Sequence, residues 1–195
     1  YRDVTGVQTC ALPICDTFIF DTNVLLRIFY TNGSYIEKEV NYYNDLLASI
    51  ITENAQILLP SYIFSEFTTV MIHEEYKRIN NQDYFSEKEF KDSGFRLKSE
   101  FNDIKSEISA IFANLNHCSN IVDDSFNYDV LTRVVNRLHF MDFTDSLICT
   151  LAESNDNCYI VTHDHDFFST RRKDNYSVVT CNQKLLDDWK HLKIT

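Results

Sequence analysis

Apolar and polar positions along this chain alternate between two periods. Three short, nearly unbroken apolar runs, Thr17-Phe18-Ile19-Phe20-Asp21, Gln56-Ile57-Leu58-Leu59-Pro60 and Cys158-Tyr159-Ile160-Val161-Thr162, have the length and density of strands buried on both faces. Tyr176-Ser177-Val178-Val179-Thr180 reads as a further strand, and positions 120–123 as a short strand or extended loop. Between these runs apolar residues recur three and four apart. That spacing predicts helices over about 24–29, 34–52, from 61 onward, 126–138, 141–154 and 183–192, with Asn23 placed to cap the first. Strands alternating with helices argue for a parallel sheet covered on both faces.

One stretch departs from the alternation. Positions 74–116 are charged and helix-favouring, with Phe90, Phe101, Ile104, Ile108 and Ile111 as an apolar stripe. The pattern predicts one or two amphipathic helices inserted into the β/α core, a solvated cover packed on one face. A substrate or partner surface is the alternative reading.

Composition narrows the function classes. The 195 residues include 15 Phe and 11 Tyr, so a real core is expected. A formal charge of −11 disfavours a broad basic groove for nucleic acid, although bound divalent cations cancel clustered carboxylates where a phosphate must approach. Beyond the first segment only Gly33 and Gly94 remain, which argues against a dinucleotide-binding or P-loop glycine motif. No apolar run approaches the ~20 residues of a membrane span. The cysteines, at 10, 15, 118, 149, 158 and 181, form no CxxC pair and mostly sit in apolar segments, as reduced cysteines do. A cytoplasmic protein without membrane contact is expected.

Four acids gather where such sheets build their sites, beyond the carboxyl ends of the strands. Asp21 closes the first strand, Glu66 lies early in the helix after the second, Asp145 lies on the helix leading to Cys158, and Asp164 follows Val161-Thr162. Helical phase puts Glu66 at the edge of the Ile63/Phe67/Val70 stripe and Asp145 beside Met141, Ile148 and Ala152. Acids at the margin of a buried face are costly without a cation or donor. No Lys or Arg stands at helical spacing beside either. Oxygen ligands without a Cys/His cluster favour Mg²⁺ or Mn²⁺ over zinc. Each acid alone also fits a strand end, a helix cap or a turn.

The stretches "FIFDTNVLL", "LPSYIFSEF", "DSLICTLAE" and "YIVTHDHDF" resemble, in order, the four motifs of PIN-domain nucleases, over about residues 17–180. The resemblance implies a Rossmann-like three-layer α/β/α sandwich with a central parallel sheet, and Mg²⁺- or Mn²⁺-dependent hydrolysis of single-stranded RNA. By motif position Asp21, Glu66, Asp145 and Asp164 form the catalytic, metal-holding quartet, and Asn23 and Thr162 are polar residues near it. Asp142 and Asp166 stand as additional candidates. Arg171, Arg172 and Lys173 fit either a contact to a flanking phosphate or a solvated basic turn. Small members of the family are often toxins paired with an antitoxin, which makes an antitoxin a candidate partner, beside a homodimer. The inserted helical segment is longer than compact members show.

His163 and His165 bracket Asp164, and strand alternation turns both away from it, so they read as ordinary turn histidines. A phosphohydrolase with an Asp nucleophile fits poorly, since Asp21-Thr22-Asn23 lacks a second Asp. A non-catalytic RNA- or protein-binding module of the same fold is the better rival. Residues 1–14 fit none of these schemes. Positions 4–14 back-translate without a gap into a sequence resembling a common short-read sequencing adapter. We therefore expect residues 15–195 to form a single domain, with no structural element contributed by 1–14.

Overall fold

The computed structural model describes residues 16–122, 126–167 and 176–191. The adapter-like residues 1–14 and the basic triplet Arg171, Arg172 and Lys173 lie outside the described residues.

Five parallel strands form one sheet in the order β3-β2-β1-β4-β5, with β1 (Thr17–Phe20), β2 (Gln56–Pro60), β3 (Asn120–Val122), β4 (Cys158–Val161) and β5 (Ser177–Val179). The inner strands are the apolar runs. β1 is buried throughout, and β2 is buried but for Gln56. The two edges are three residues each and more exposed, the usual protection of an unpaired sheet edge.

Helices α1 (Thr22–Phe29) and α2 (Glu37–Thr52) link β1 to β2. Helices α3 (Ser61–Asn80), α4 (Glu87–Asp92) and α5 (Glu100–Cys118) link β2 to β3 in the same direction across the sheet. Helices α6 (Tyr128–Arg137) and α7 (Phe143–Glu153) return the chain past β2 and β1 to β4. Right-handed crossovers then put α1–α5 on one face and α6–α7 on the other. The packing agrees: α1 meets α2 and α3, α3 meets α5, and α6 meets α7. The architecture is the three-layer α/β/α sandwich expected from the sequence, closed by α8 (Gln183–His191). No helix of the described residues is long and apolar enough to cross a membrane.

The charged stretch 74–116 opens as the last turns of α3 and continues through α4 into α5. Ile104, Ile108, Ile111 and Leu115 are the buried stripe of α5. Phe90 and Phe95 are buried against Tyr76, with ring centroids 5.1 Å from it in each case, so this cover is stitched to α3 by aromatic edges. Asparagine does the work of glycine where helices stop. Asn54, Asn81 and Asn157 all take left-handed φ near +50°, and two of them turn the chain into β2 and β4.

Candidate metal centre

The strand order reverses direction between β1 and β4, and in a parallel sheet that reversal opens a crevice at the carboxyl ends of the two strands. Asp21 leaves β1 there. Its amide donates to Val161 O at 2.9 Å, and its carbonyl accepts from the amides of Val24 and Leu25. Asp21, not Asn23, is thus the residue that caps α1. Asn23 is occupied across the crevice: its side-chain amide donates to Asp21 Oδ2, and its Oδ1 accepts from the His163 amide at 2.9 Å. Thr162 completes the tie. Its hydroxyl donates to Asp21 Oδ2 at 2.6 Å and accepts from the Asp164 amide at 2.9 Å.

Two helices bring further acids. The Thr22 hydroxyl donates to Glu66 Oε2 at 3.0 Å, joining α1 to α3. Asp145 lies in the first turn of α7 and is buried. The helix expected to start near 141 starts at Phe143, and Asp142, anticipated as an outer acid, caps it: its Oδ1 accepts from the Asp145 amide at 2.8 Å, and its charge still acts on Glu66 and Asp145. Asp166 donates its amide to Asp164 Oδ1 at 2.9 Å. Carboxylate oxygens of Asp145, Asp164 and Asp166 lie within 4.8 Å of one another, a group that takes in Asp166 and not Asp21 or Glu66.

The electrostatics are those of crowded acids. Burial, helped by repulsion from Glu66 and Asp164, pushes Asp21 up to about 7 against the pull of the Thr162 hydroxyl. Burial likewise pushes Asp145 up to about 8, and Asp21, Asp142, Asp164 and Glu66 all add to the rise. Glu66 is raised by burial first and then by Asp142 and Asp164. Among the described residues no basic side chain pairs with Asp21, Glu66, Asp145 or Asp164. All-oxygen donors under mutual repulsion suit a hard divalent cation.

The two histidines turn away from the acids, as strand alternation suggests. The ring of His163 meets Tyr43 Oη at 3.0 Å through Nδ1 and Glu39 at 3.4 Å through Nε2. His165 Nε2 lies 2.6 Å from Asp188. Sequence reasoning missed Thr22, Glu39 and Tyr43. The Tyr43 hydroxyl donates to Thr162 O at 3.1 Å and accepts from the Cys181 amide at 3.3 Å, holding the exits of β4 and β5 together. The only sequence signal was the inward phase of Tyr43 on α2.

No protein-family model and no curated protein matches the chain. Among solved structures it is similar to VapBC2 from Rickettsia felis bound to a DNA fragment from their promoter, with a TM-score of 0.51 and 14% identity over 84% of this chain and 98% of that one. It is also similar to PAE2754 from Pyrobaculum aerophilum, with a TM-score of 0.47 and 14% identity over 91% of each chain. At this identity the first likeness speaks to the fold alone, the α/β/α sandwich on a parallel five-stranded sheet.

Proposed function

We propose that the protein is a divalent-metal-dependent nuclease that cuts phosphodiester bonds, with single-stranded RNA as substrate, acting in the cytoplasm. The observation that carries this reading is the convergence of Asp21, Asp145 and Asp164 at one crevice of a PIN-like fold, with Glu66 beside them. Their charges oppose one another, and among the described residues no basic side chain pairs with them. The order of motifs along the chain supports the same reading, and an antitoxin is the protein partner it brings with it.

In this scheme Asp21, Glu66, Asp145 and Asp164 would hold Mg²⁺ or Mn²⁺, joined by Asp166, whose carboxylate lies within 4.8 Å of those of Asp145 and Asp164. Such an ion, when bound, eases deprotonation of an attacking water and offsets charge on the phosphate and leaving oxygen. The chain's own residues set the geometry. Thr162 and Asn23 fix one oxygen of Asp21 from two directions. Thr22 orients Glu66, and the Asp142 cap holds the first turn of α7 and thus Asp145. No side-chain nucleophile is required.

The test is cleavage of labelled single-stranded RNA and DNA with Mg²⁺ or Mn²⁺, against EDTA and against Asp145→Asn. Metal-dependent cutting of RNA, reduced about a hundredfold or more in the variant, is expected from the loss of several kcal/mol of charge stabilisation. Cutting of DNA alone would move the substrate assignment. A folded wild type that binds no Mn²⁺ in calorimetry and cuts neither strand would leave the binding-module reading in its place.

A further inference from the structure

Helix α2 reaches the crevice through Tyr43 and, one turn before it, Glu39. The Glu39 carboxylate is met on both sides. Its Oε2 pairs with Arg27 Nε at 3.2 Å, and its Oε1 faces His163 Nε2 at 3.4 Å. The side chains of Arg27, Glu39 and His163 are only 16%, 20% and 13% exposed, so these contacts are shielded in a way that a surface ion pair is not.

Both arms end on Asn23. Arg27 Nη1 donates to the Asn23 carbonyl at 2.8 Å, and its guanidinium lies over the Tyr35 ring, 5.1 Å from the centroid. The His163 amide donates to Asn23 Oδ1 at 2.9 Å. Asn23, Arg27, Glu39 and His163 thus close a ring of polar contacts, and from that ring the Asn23 amide nitrogen donates to Asp21 Oδ2. His163 is gripped on its other sides as well: Tyr43 Oη meets ring Nδ1 at 3.0 Å, and Asn182 Nδ2 donates to the His163 carbonyl at 2.7 Å. A strut that only joined α2 to α1 would need Arg27 and Glu39 alone. The arm through His163 has a second use, because it fixes the backbone between Thr162 and Asp164, whose amide sets the plane of the Asn23 side chain. Shielded polar groups linked in one network act together, so a break at Glu39 is felt at Asn23.

We propose that Glu39 is a positioning residue of the metal centre, acting through His163 and Arg27 to hold the Asn23 amide against Asp21. What the held carboxylate does rests on the metal-dependent reading above; how it is held does not.

The test takes two readouts on the full chain. In EDTA, nitrogen-15 spectra follow exchange of the Asn23 side-chain amide protons with water. Glu39→Ala should speed that exchange about tenfold, and Glu39→Gln about twofold at most. Gln keeps an acceptor for Arg27 and offers a donor to the ring, whose own proton then sits on Nδ1 facing Tyr43. Calorimetry should next show Mn²⁺ binding about tenfold weaker in Glu39→Ala and largely restored in Glu39→Gln. Both variants lose the same charge, so the difference between them reports geometry. The double variant Glu39→Ala/Asn23→Ala should bind Mn²⁺ as Asn23→Ala does, since the two residues act in series. If Glu39→Ala lacks a native far-UV circular dichroism spectrum, Arg27→Met cuts the same ring at its next link and is read by the same Asn23 exchange. Unchanged Asn23 exchange, equal loss of affinity in the Ala and Gln variants, or additive losses in the double variant overturns the proposal. A wild type that binds no Mn²⁺ while Asn23 exchange responds as expected overturns the metal reading instead, and leaves the hold on Asn23 standing.

Discussion

Asn23 uses both ends of its amide to bind the crevice shut, one on Asp21 and the other on the backbone beside Asp164. Asn23→Ala should therefore lower Mn²⁺ affinity about tenfold, the usual cost of losing an orienting partner of a ligand, with the melting temperature changed far less; calorimetry beside a thermal melt checks it. The acids themselves are strained by one another. Asp21 and Asp145 have folded pKa values raised above 3.8, to about 7 and about 8, so their contribution to stability is fully present below pH 3.8 and is lost as pH rises through 7 and 8. In EDTA, Asp145→Asn should hence melt higher than wild type at pH 8.5, by at least about 2 °C, and the gap should close at pH 5.5. Added Mn²⁺ should raise the wild-type melt more at pH 8.5 than at pH 5.5. Sequence alone singled out Asp21, Glu66, Asp145 and Asp164, because strand ends and helical phase are local properties. Thr22 was invisible for the opposite reason: its bond to Glu66 spans 44 residues and exists only once α1 lies on α3.

At the scale of elements, periodicity carried most of what could be read. The parallel strands were legible because burial on both faces leaves an unbroken apolar run. Boundaries slipped where a side chain had a tertiary duty. Asn23 looked like the cap of α1, but its amide bonds across the sheet and Asp21 takes the cap position. At α7 the shift is local: the helix read as starting near 141 starts at Phe143, because Asp142 spends one oxygen on the cap. The join between α1 and α3 rests on Glu75, buried at 2% exposure, which accepts from Tyr30 Oη at 2.8 Å and Asn32 Nδ2 at 2.9 Å and pairs with Arg78 at 2.6 Å. Removing it leaves the buried Tyr30 hydroxyl without its acceptor, whereas the exposed Asn32 turns to water, so Glu75→Ala should cost about 1–3 kcal/mol in urea unfolding. Its bonds lower the Glu75 carboxyl despite burial, so this contribution is present above the unfolded pKa and fades as acid is added.

Over the whole molecule, the class of fold followed from the order of strands and helices, whereas the order of strands within the sheet did not. Nothing local says that β1 sits in the middle. That position has a consequence for how the protein comes to exist. The central strand is the first made, and it waits with one side unpaired until β4 arrives from the far end of the chain. Asp21 and Thr162, hydrogen-bonded in the finished crevice, are separated by 141 residues. Loop closure over such a distance comes late in folding, after the β1–β2–β3 half has had the chance to assemble. A chain still emerging from the ribosome thus carries an open β1 edge, and of the four acids it lacks Asp164 until β4 has been made. Chains released before residue 157 should bind no Mn²⁺ and should aggregate through that edge, which light scattering on the truncated protein would reveal.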